Sequence, residues 1–338
     1  MYAVTFSRPG DPGVLDWTPS DPGTPGPGDV VIDVAAAGIN NADLLQRGGR
    51  YPVPAGASPI LGLEVSGVIA WAGDDVTGWA VGDRVCALLA GGGYAEQAVV
   101  SADLLLPVPD GVSLVDAAAL PEAVCTVYSN LAMTARLRAG QTLLVHGGGS
   151  GIGTMAIQWA TAVGARVIVT AGSPAKLDRC LELGAEVAVN YRTDDFVAKT
   201  AAATGGRGAD AILDIVGPDY LTRNLDALAP DGHLVVIGST GGDAPRLDLG
   251  ALMAKRATIS ATTLRARPHA QKAAIVAEVR AQVWPLIASG RVRPVVDSVF
   301  PMDEAARGHE LLAAGSAFGK VLLTPPRIAA VARSDKTQ

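Results

Sequence analysis

The feature that most constrains the fold is a glycine-rich turn between an apolar strand and an amphipathic helix. The predicted order is a strand at Thr142–His146, the turn at Gly147–Gly153, a helix at Thr154–Val163 and a second strand at Val167–Thr170. Glycines let the backbone approach a pyrophosphate, which the free amides and the dipole at the helix start attract. Because strand, turn and helix follow one another as the dinucleotide fingerprint requires, the stretch predicts a cofactor site and not merely a tight turn.

The turn departs from the standard G-x-G-x-x-G pattern at one position. The glycines counted back from Gly153 are Gly151 and Gly148, and Ser150 stands where the pattern has its second glycine. This variant weakens the motif match but keeps the turn chemistry.

The end of the second strand indicates which nicotinamide cofactor is bound. Enzymes selective for NAD usually end this strand with Asp or Glu, which binds the ribose hydroxyls and repels a 2′-phosphate. Here the strand ends Thr170-Ala171-Gly172-Ser173, and Lys176 follows. Tyr191-Arg192 comes after the next apolar strand, so one or two cations and two hydroxyl groups could converge on a 2′-phosphate. We therefore predict NADPH; the alternative is that Lys176 is a solvated helix residue.

The chain of 338 residues alternates between strand and helix patterns after the turn. Its length suffices for two domains with good cores, and 49% hydrophobic and 18% charged residues are typical of a globular protein. The repeated alternation predicts an α/β fold with a doubly wound parallel sheet over residues 122–264.

The remaining segments read as one β-rich domain made of two pieces. Short alternating strands and many Gly and Pro residues fill residues 1–121, and helices and strands over 265–325 are too few for a third domain. A helix is predicted over His269–Ala288, bent or ended early by Pro285. Gly91-Gly92-Gly93 could be the lip of a cleft or a loop without function. We expect residues 326–338 to form a mobile tail.

Charge and composition argue against several classes of protein. A net charge of −6 disfavours nucleic-acid and anionic-membrane binding, and no apolar run reaches membrane-spanning length. The opening residues lack a leader pattern, so we predict a cytoplasmic protein. Cys86, Cys125 and Cys180 are scattered and read as buried thiols in a reducing compartment, and no His pair has metal-ligand spacing.

Five stretches of the chain stand out: Gly38–Gly67, Ala87–Val100, the glycine-rich turn, Val169–Leu177 and Phe318–Leu323. Together they resemble the zinc-free quinone oxidoreductase (zeta-crystallin-like) family of medium-chain dehydrogenases/reductases, and the likeness extends to about Pro325. Within that family the chain is most similar to the branch induced by the tumour-suppressor stress response. The resemblance implies a GroES-like β-rich catalytic domain, split around a Rossmann nucleotide-binding domain, and a homodimer.

The resemblance also implies that no metal is bound. At the positions where zinc alcohol dehydrogenases of the superfamily hold the catalytic metal, this chain has Asn40, Leu63 and Glu122. Hydride transfer without a metal needs an acceptor that is already electrophilic, such as a quinone or a conjugated enone. We assign Glu122 no catalytic role.

Site residues follow from the same resemblance. Asn40 and Tyr51 are expected at the nicotinamide and the acceptor, and are our catalytic candidates. Asn40 and Asp43 could instead be turn and cap residues, Tyr51 a packed loop aromatic, and Phe318 a core residue. The expected cofactor-binding residues are Asn40, Tyr51, Thr126, Gly148, Ser150, Gly151, Ile152, Gly153, Gly172, Ser173, Lys176, Tyr191, Gly238, Leu264, Phe318 and Lys320.

The leading functional hypothesis is therefore NADPH-dependent reduction of a quinone. One alternative is reduction of an α,β-unsaturated ketone or enoyl thioester, which the same hydride geometry permits. An alternative of another class is an NADPH-binding sensor or structural protein with little turnover.

Overall fold

A computed structural model describes residues 1–239 and 246–326 of the chain. The chain divides into two compact units. Among the described residues, unit 1 comprises those within Met1–Ala123, Arg265–Ala288 and Pro294–Gln338, and unit 2 comprises those within Val124–Leu264 and Ser289–Arg293. The predicted tail, residues 326–338, lies outside the described residues from 327 onward.

The strands, in chain order, are β1 (Tyr2–Thr5), β2 (Asp16–Pro19), β3 (Asp29–Ile39), β4 (Glu64–Ala72), β5 (Arg84–Leu88), β6 (Gln97–Ser101), β7 (Leu105–Pro107), β8 (Thr142–His146), β9 (Arg166–Ala171), β10 (Val187–Asn190), β11 (Ala209–Asp214), β12 (Leu228–Val236), β13 (Thr258–Ala261), β14 (Val296–Pro301) and β15 (Lys320–Thr324). The α-helices are α1 (Asn41–Arg47), α2 (Pro121–Val127), α3 (Gly151–Ala162), α4 (Pro174–Glu182), α5 (Phe196–Ala203), α6 (Leu221–Ala227), α7 (Leu249–Lys255), α8 (His269–Gln282), α9 (Trp284–Ala288) and α10 (Ala305–Ala313).

Unit 2 is built on a parallel sheet of six strands in the order β10-β9-β8-β11-β12-β13. All residues of β8 and β11 are buried, as expected of central strands covered by helices on both faces. The strand order reverses between β8 and β11, and ligands bind at the carboxyl ends of strands at such a switch point. The predicted doubly wound sheet is confirmed.

Unit 1 is built on a largely antiparallel sheet in the order β14-β15-β3-β4-β5-β7, with β6 also paired to β3. The C-terminal strand β15 pairs antiparallel with β3, where Val321 faces Ile39. This pairing places Lys320 next to the end of β3, where α1 begins. The GroES-like β-rich class predicted for this part of the chain is confirmed.

The segment before the glycine-rich turn forms several short helical elements. A 3-10 turn (Asp116–Ala119), α2 and a π-helix (Tyr128–Thr134) share the region. The predicted helix over 269–288 divides at Val283 into α8 and α9, because Pro285 cannot donate the N–H that a continuous helix needs. No helix in the described ranges 1–239 and 246–326 is long and apolar enough to cross a membrane.

Candidate functional site

The glycine-rich turn is closed by Ser150, which caps the N-terminus of α3. Its hydroxyl accepts a hydrogen bond from the Gly153 amide at 2.9 Å and donates one to the Gly147 carbonyl at 2.8 Å. Serine is a favoured N-cap residue because its side-chain oxygen satisfies an amide that the helix leaves unpaired. The serine that departs from the fingerprint thus stabilises the turn that the fingerprint describes.

Close backbone packing explains the glycines of the turn. A Cβ on Gly153 would lie 2.2 Å from the Gly147 carbonyl oxygen, and one on Gly148 would lie 2.9 Å from the Val169 side chain. Gly151 and Ile152 open α3, whose first turn contains no acidic residue. The first amides of a helix have no partner within the helix and attract an anion. The turn therefore fits a dinucleotide pyrophosphate.

The end of β9 has no carboxylate and runs into the start of α4. Ser173 is the N-cap residue, Pro174 follows in the first turn, and that turn contains no acidic residue. A Cβ on Gly172 would lie 2.6 Å from the Tyr191 hydroxyl, so the structure brings these two predicted residues together. Lys176 is half-buried in the first turn of α4, and the Arg192 guanidinium lies 5.9 Å from the Tyr191 ring. This strand end fits a negatively charged 2′-phosphate.

A buried chain of polar groups connects three strand ends at the switch point. The His146 ring lies between Thr170, whose hydroxyl is 3.1 Å from Nδ1, and Asn224, whose Oδ1 is 2.7 Å from Nε2. The Asn224 amide donates to Asp214 at 3.0 Å, and Asp214 accepts from the amides of Val216 and Gly217. Burial lowers the pKa of His146 to about 4, so the ring is neutral. These groups fix the loops that surround the glycine-rich turn.

In unit 1, Asn40 lies in a cluster with Glu64 and Lys320. The Asn40 amide nitrogen donates to Glu64 Oε1 at 2.9 Å, and its oxygen accepts from Lys320 Nζ at 2.7 Å. Lys320 Nζ also lies 2.6 Å from Glu64 Oε1 and donates to the Ile39 carbonyl at 3.1 Å. Glu64 and Lys320 are buried, and Gly38 makes room for the Glu64 side chain. A buried ion pair with these additional hydrogen bonds fixes the orientation of the Asn40 amide.

The same cluster does not fit a zinc ion. The Asn40 oxygen faces an ammonium group, and the buried Leu63 offers no ligand atom. Within the described ranges, no three His, Cys, Asp or Glu side chains are grouped so that they could hold a metal. None of the three cysteines forms a disulfide, and all three are buried, as predicted.

A second buried network holds the start of α1. Arg47 Nη1 lies 2.9 Å from Nδ1 of His309, whose Nε2 lies 3.2 Å from the Tyr94 hydroxyl. Tyr94 in turn hydrogen-bonds the carboxyl group of Asp43. This carboxyl group also accepts hydrogen bonds from the backbone amide of Asn40 at 2.7 Å and from the backbone amide of Gly62 at 2.9 Å. Burial raises the pKa of Asp43 to about 6 and lowers the pKa of His309 to about 3. The capping role considered for Asp43 is thus observed. Its carboxyl group holds the backbone of Asn40, the residue that precedes α1.

The other predicted residues are dispersed over the two units. In unit 1, the Tyr51 ring lies 5.5 Å from the Arg265 guanidinium, and Phe318 is buried with its amide bonded to Asp297. In unit 2, Thr126 and Leu264 are buried, and a Cβ on Gly238 would lie 2.9 Å from the Ile215 carbonyl oxygen.

Sequence reasoning missed Glu64 and the polar chain around His146. The available signal for Glu64 was a lone carboxylate inside the apolar stretch Ile60–Ala70. A charge inside a buried strand requires a partner, but the pattern does not reveal which residue supplies it.

The geometry described so far defines a class of protein. A GroES-like β-rich unit and a switch-point nucleotide sheet are the architecture of medium-chain dehydrogenases/reductases. Two family models agree, since the alcohol dehydrogenase GroES-like domain matches residues 26–110 and the zinc-binding dehydrogenase model matches residues 151–279.

Individual relatives identify the family within this class of protein. A quinone oxidoreductase of Pseudomonas aeruginosa is 32% identical, covering 95% of this chain and 99% of the relative. A 2-haloacrylate reductase of a Burkholderia species is 29% identical over 96% of this chain and 99% of the relative. The structure of Escherichia coli quinone oxidoreductase complexed with NADPH has a TM-score of 0.85 and 31% identity, covering 96% and 100% of the two chains. The chain therefore belongs to the quinone oxidoreductase family of medium-chain dehydrogenases/reductases.

Proposed function

We propose that this protein is an NADPH-dependent oxidoreductase that reduces quinones without a metal. The observation that carries the proposal is the end of β9, where Gly172 contacts Tyr191 and α4 begins without an acidic residue. The quinone acceptor is supported by the relatives and by the Asn40 cluster, in which the Lys320 ammonium group donates to the Asn40 oxygen.

The residues of unit 2 would hold the cofactor by charge and close approach. Gly148, Ser150, Gly151, Ile152 and Gly153 would surround the pyrophosphate through backbone amides. Gly172, Ser173, Lys176 and Tyr191 would bind the 2′-phosphate, which an NAD-type carboxylate would repel. When bound, the dihydronicotinamide supplies a hydride.

The residues of unit 1 would act on the acceptor. The Asn40 amide, oriented by Glu64 and Lys320, and the Tyr51 hydroxyl would orient a carbonyl oxygen and stabilise its developing charge. Burial of Lys320 and Glu64 keeps this cluster ordered. A reduced quinone oxygen can take its proton from water, so no strong general acid is needed.

The decisive experiment is an NADPH oxidation assay against a panel of quinones and enones. Quinone turnover is expected; tight NADPH binding without turnover of either class would instead favour the sensor or structural alternative.

Selectivity for NADPH is tested with Lys176→Ala. A charge-assisted hydrogen bond contributes about 1.5 to 3 kcal/mol, so the Kd for NADPH should rise about 10- to 150-fold while that for NADH changes little. Lys199→Ala, at a cation on α5 that pairs with Asp194, is the matched control. Equal losses for both cofactors would contradict the assignment of Lys176.

Asn40→Ala and Tyr51→Phe test the acceptor residues. We expect kcat/KM for a quinone to fall on the order of 10- to 1,000-fold for Asn40→Ala and less for Tyr51→Phe, with little change in NADPH affinity. A lowered melting temperature with unchanged turnover would return both residues to a structural role.

Reduction of an electron-poor alkene is the second candidate, favoured by the full-length similarity to a 2-haloacrylate reductase. The same panel distinguishes it, because enone turnover would then exceed quinone turnover.

We further propose a homodimer in the cytoplasm. The family resemblance supports the dimer, and three buried cysteines without a disulfide are typical of a reducing compartment. Sedimentation equilibrium measures the first property and cell fractionation the second.

A further inference from the structure

Unit 1 contains a buried arginine whose two terminal nitrogens make no hydrogen bond to the described residues. Arg265 is 4% exposed, and its Nε donates to the Ala90 carbonyl at 2.7 Å. Among the residues that the structure describes, neither Nη1 nor Nη2 has a hydrogen-bond partner, although both atoms are buried. A charged donor that is buried without an acceptor lowers the stability of the fold, and a bound anion would remove this cost.

The surroundings of Arg265 are positive. Lys272 is buried on α8, and the neighbouring charge of Arg265 adds to the burial that lowers its pKa. The Nε of Arg267 is also buried without a partner among the described residues. Asp43 is near enough to raise the pKa of Arg265, but its oxygens accept from the amides of Asn40 and Gly62.

Tyr51, which is partly exposed, lies next to the guanidinium of Arg265. Its ring centroid is 5.5 Å from the Arg265 guanidinium carbon. A cation–π contact of this kind attracts the charge but leaves the N–H groups without acceptors. Pro52 and Val53, which follow Tyr51, are exposed, so the ring lies at the edge of a surface segment.

A purely structural role would not explain the guanidinium. The bond from Nε to Ala90 holds the segment before Gly91-Gly92-Gly93, and it uses one of the five N–H groups of the side chain. The two terminal nitrogens form a planar fork that matches the two oxygens of a carboxylate.

We propose that the Nη1 and Nη2 groups of Arg265 form an anion subsite beside Tyr51 that binds a carboxylate carried by the electron acceptor. The subsite selects acceptors with a carboxylate substituent over neutral acceptors of the same shape. This inference rests on the proposed function, because Tyr51 is assigned to the acceptor there.

The first test measures binding without turnover. Benzoate, benzamide and inorganic phosphate are titrated calorimetrically into the wild type, Arg265→Gln and Arg265→Lys. Benzoate should bind the wild type better than benzamide or phosphate do, and Arg265→Gln should weaken benzoate about 10- to 150-fold. Arg265→Lys should recover part of the loss, because it keeps the charge but lacks the fork.

Two controls separate this subsite from other anion sites. Arg280→Gln removes the same charge from α8, where the guanidinium stacks on Trp79, and should leave benzoate binding unchanged. The Kd for NADPH should be the same in all variants. Loss of NADPH affinity in Arg265→Gln would overturn the proposal, because the arginine would then serve a cofactor phosphate; tighter binding of phosphate than of benzoate would overturn it as well.

The second test first compares acceptors in the wild type, and this comparison does not depend on a variant that folds. A quinone bearing a carboxylate side chain should have a higher kcat/KM than its methyl ester, and this preference should disappear in Arg265→Gln. A wild type that prefers the ester would contradict the subsite even if quinone reduction itself is established. Failure to reduce either quinone, with benzoate still bound through Arg265, would contradict the proposed function and leave the subsite supported.

Discussion

At the scale of single residues, the pair Lys320 and Glu64 is the most consequential arrangement in unit 1. Removing one member of a buried ion pair leaves an uncompensated charge, which typically costs about 3 to 5 kcal/mol. We therefore expect Lys320→Met to lower the free energy of unfolding by about that amount, measured by urea denaturation. Glu64→Gln removes the carboxylate charge that Lys320→Met leaves without a partner. The double variant should therefore lose less stability than the two single variants lose together. Strictly additive losses would show that the two side chains do not interact.

His146 gives a residue-scale prediction for pH. Its pKa falls from 6.5 to about 4 on folding, so below pH 6.5 the unfolded chain binds a proton that the folded chain does not. The stability from the neutral ring is thus complete above pH 6.5 and is lost as the pH falls toward 4, by up to about 3 kcal/mol.

Denaturation curves at several pH values test this expectation. The stability difference between the wild type and His146→Gln should shrink as the pH is lowered from 7 to 4. His269→Gln, at an exposed histidine paired with Asp103, is the control for the loss of a histidine outside this network. A difference that stays constant from pH 7 to 4 would mean that His146 is protonated equally in both states.

At the scale of elements, the turn between β8 and α3 cannot accept a side chain at Gly153. A Cβ there would lie 2.2 Å from a backbone oxygen, so the turn itself must move. Such overpacking costs about 1 to 3 kcal/mol, and we expect Gly153→Ala to raise the Kd for both NADPH and NADH about 5- to 150-fold. Fluorescence titration measures this. Gly28→Ala, where nothing lies within 4 Å of an added Cβ, should bind both cofactors normally.

The elements also show what the sequence could predict. The strand–turn–helix unit and the following alternation gave the doubly wound sheet, because periodicity and glycine chemistry are local signals. The short elements β1, β2, β7, α1 and α7 have too few residues to establish a period. The contact between Lys320 and Glu64 depends on the pairing of β15 with β3, which joins distant parts of the chain and leaves no local pattern. The role of Arg265 was missed for the same reason, because its contacts with Ala90 and Tyr51 also join distant parts of the chain.

At the scale of the whole molecule, the question is whether the chain carries a metal, since one of the family models that it matches is described as zinc-binding. An ammonium group facing the Asn40 oxygen repels a divalent cation, and the buried Leu63 cannot coordinate one. We therefore expect purified protein dialysed against a chelator to contain far less than one zinc per chain by elemental analysis. Its melting temperature and quinone turnover should be the same with and without chelator. About one zinc per chain after dialysis would contradict this expectation. It would mean that a set of ligands outside the Asn40 cluster binds the zinc.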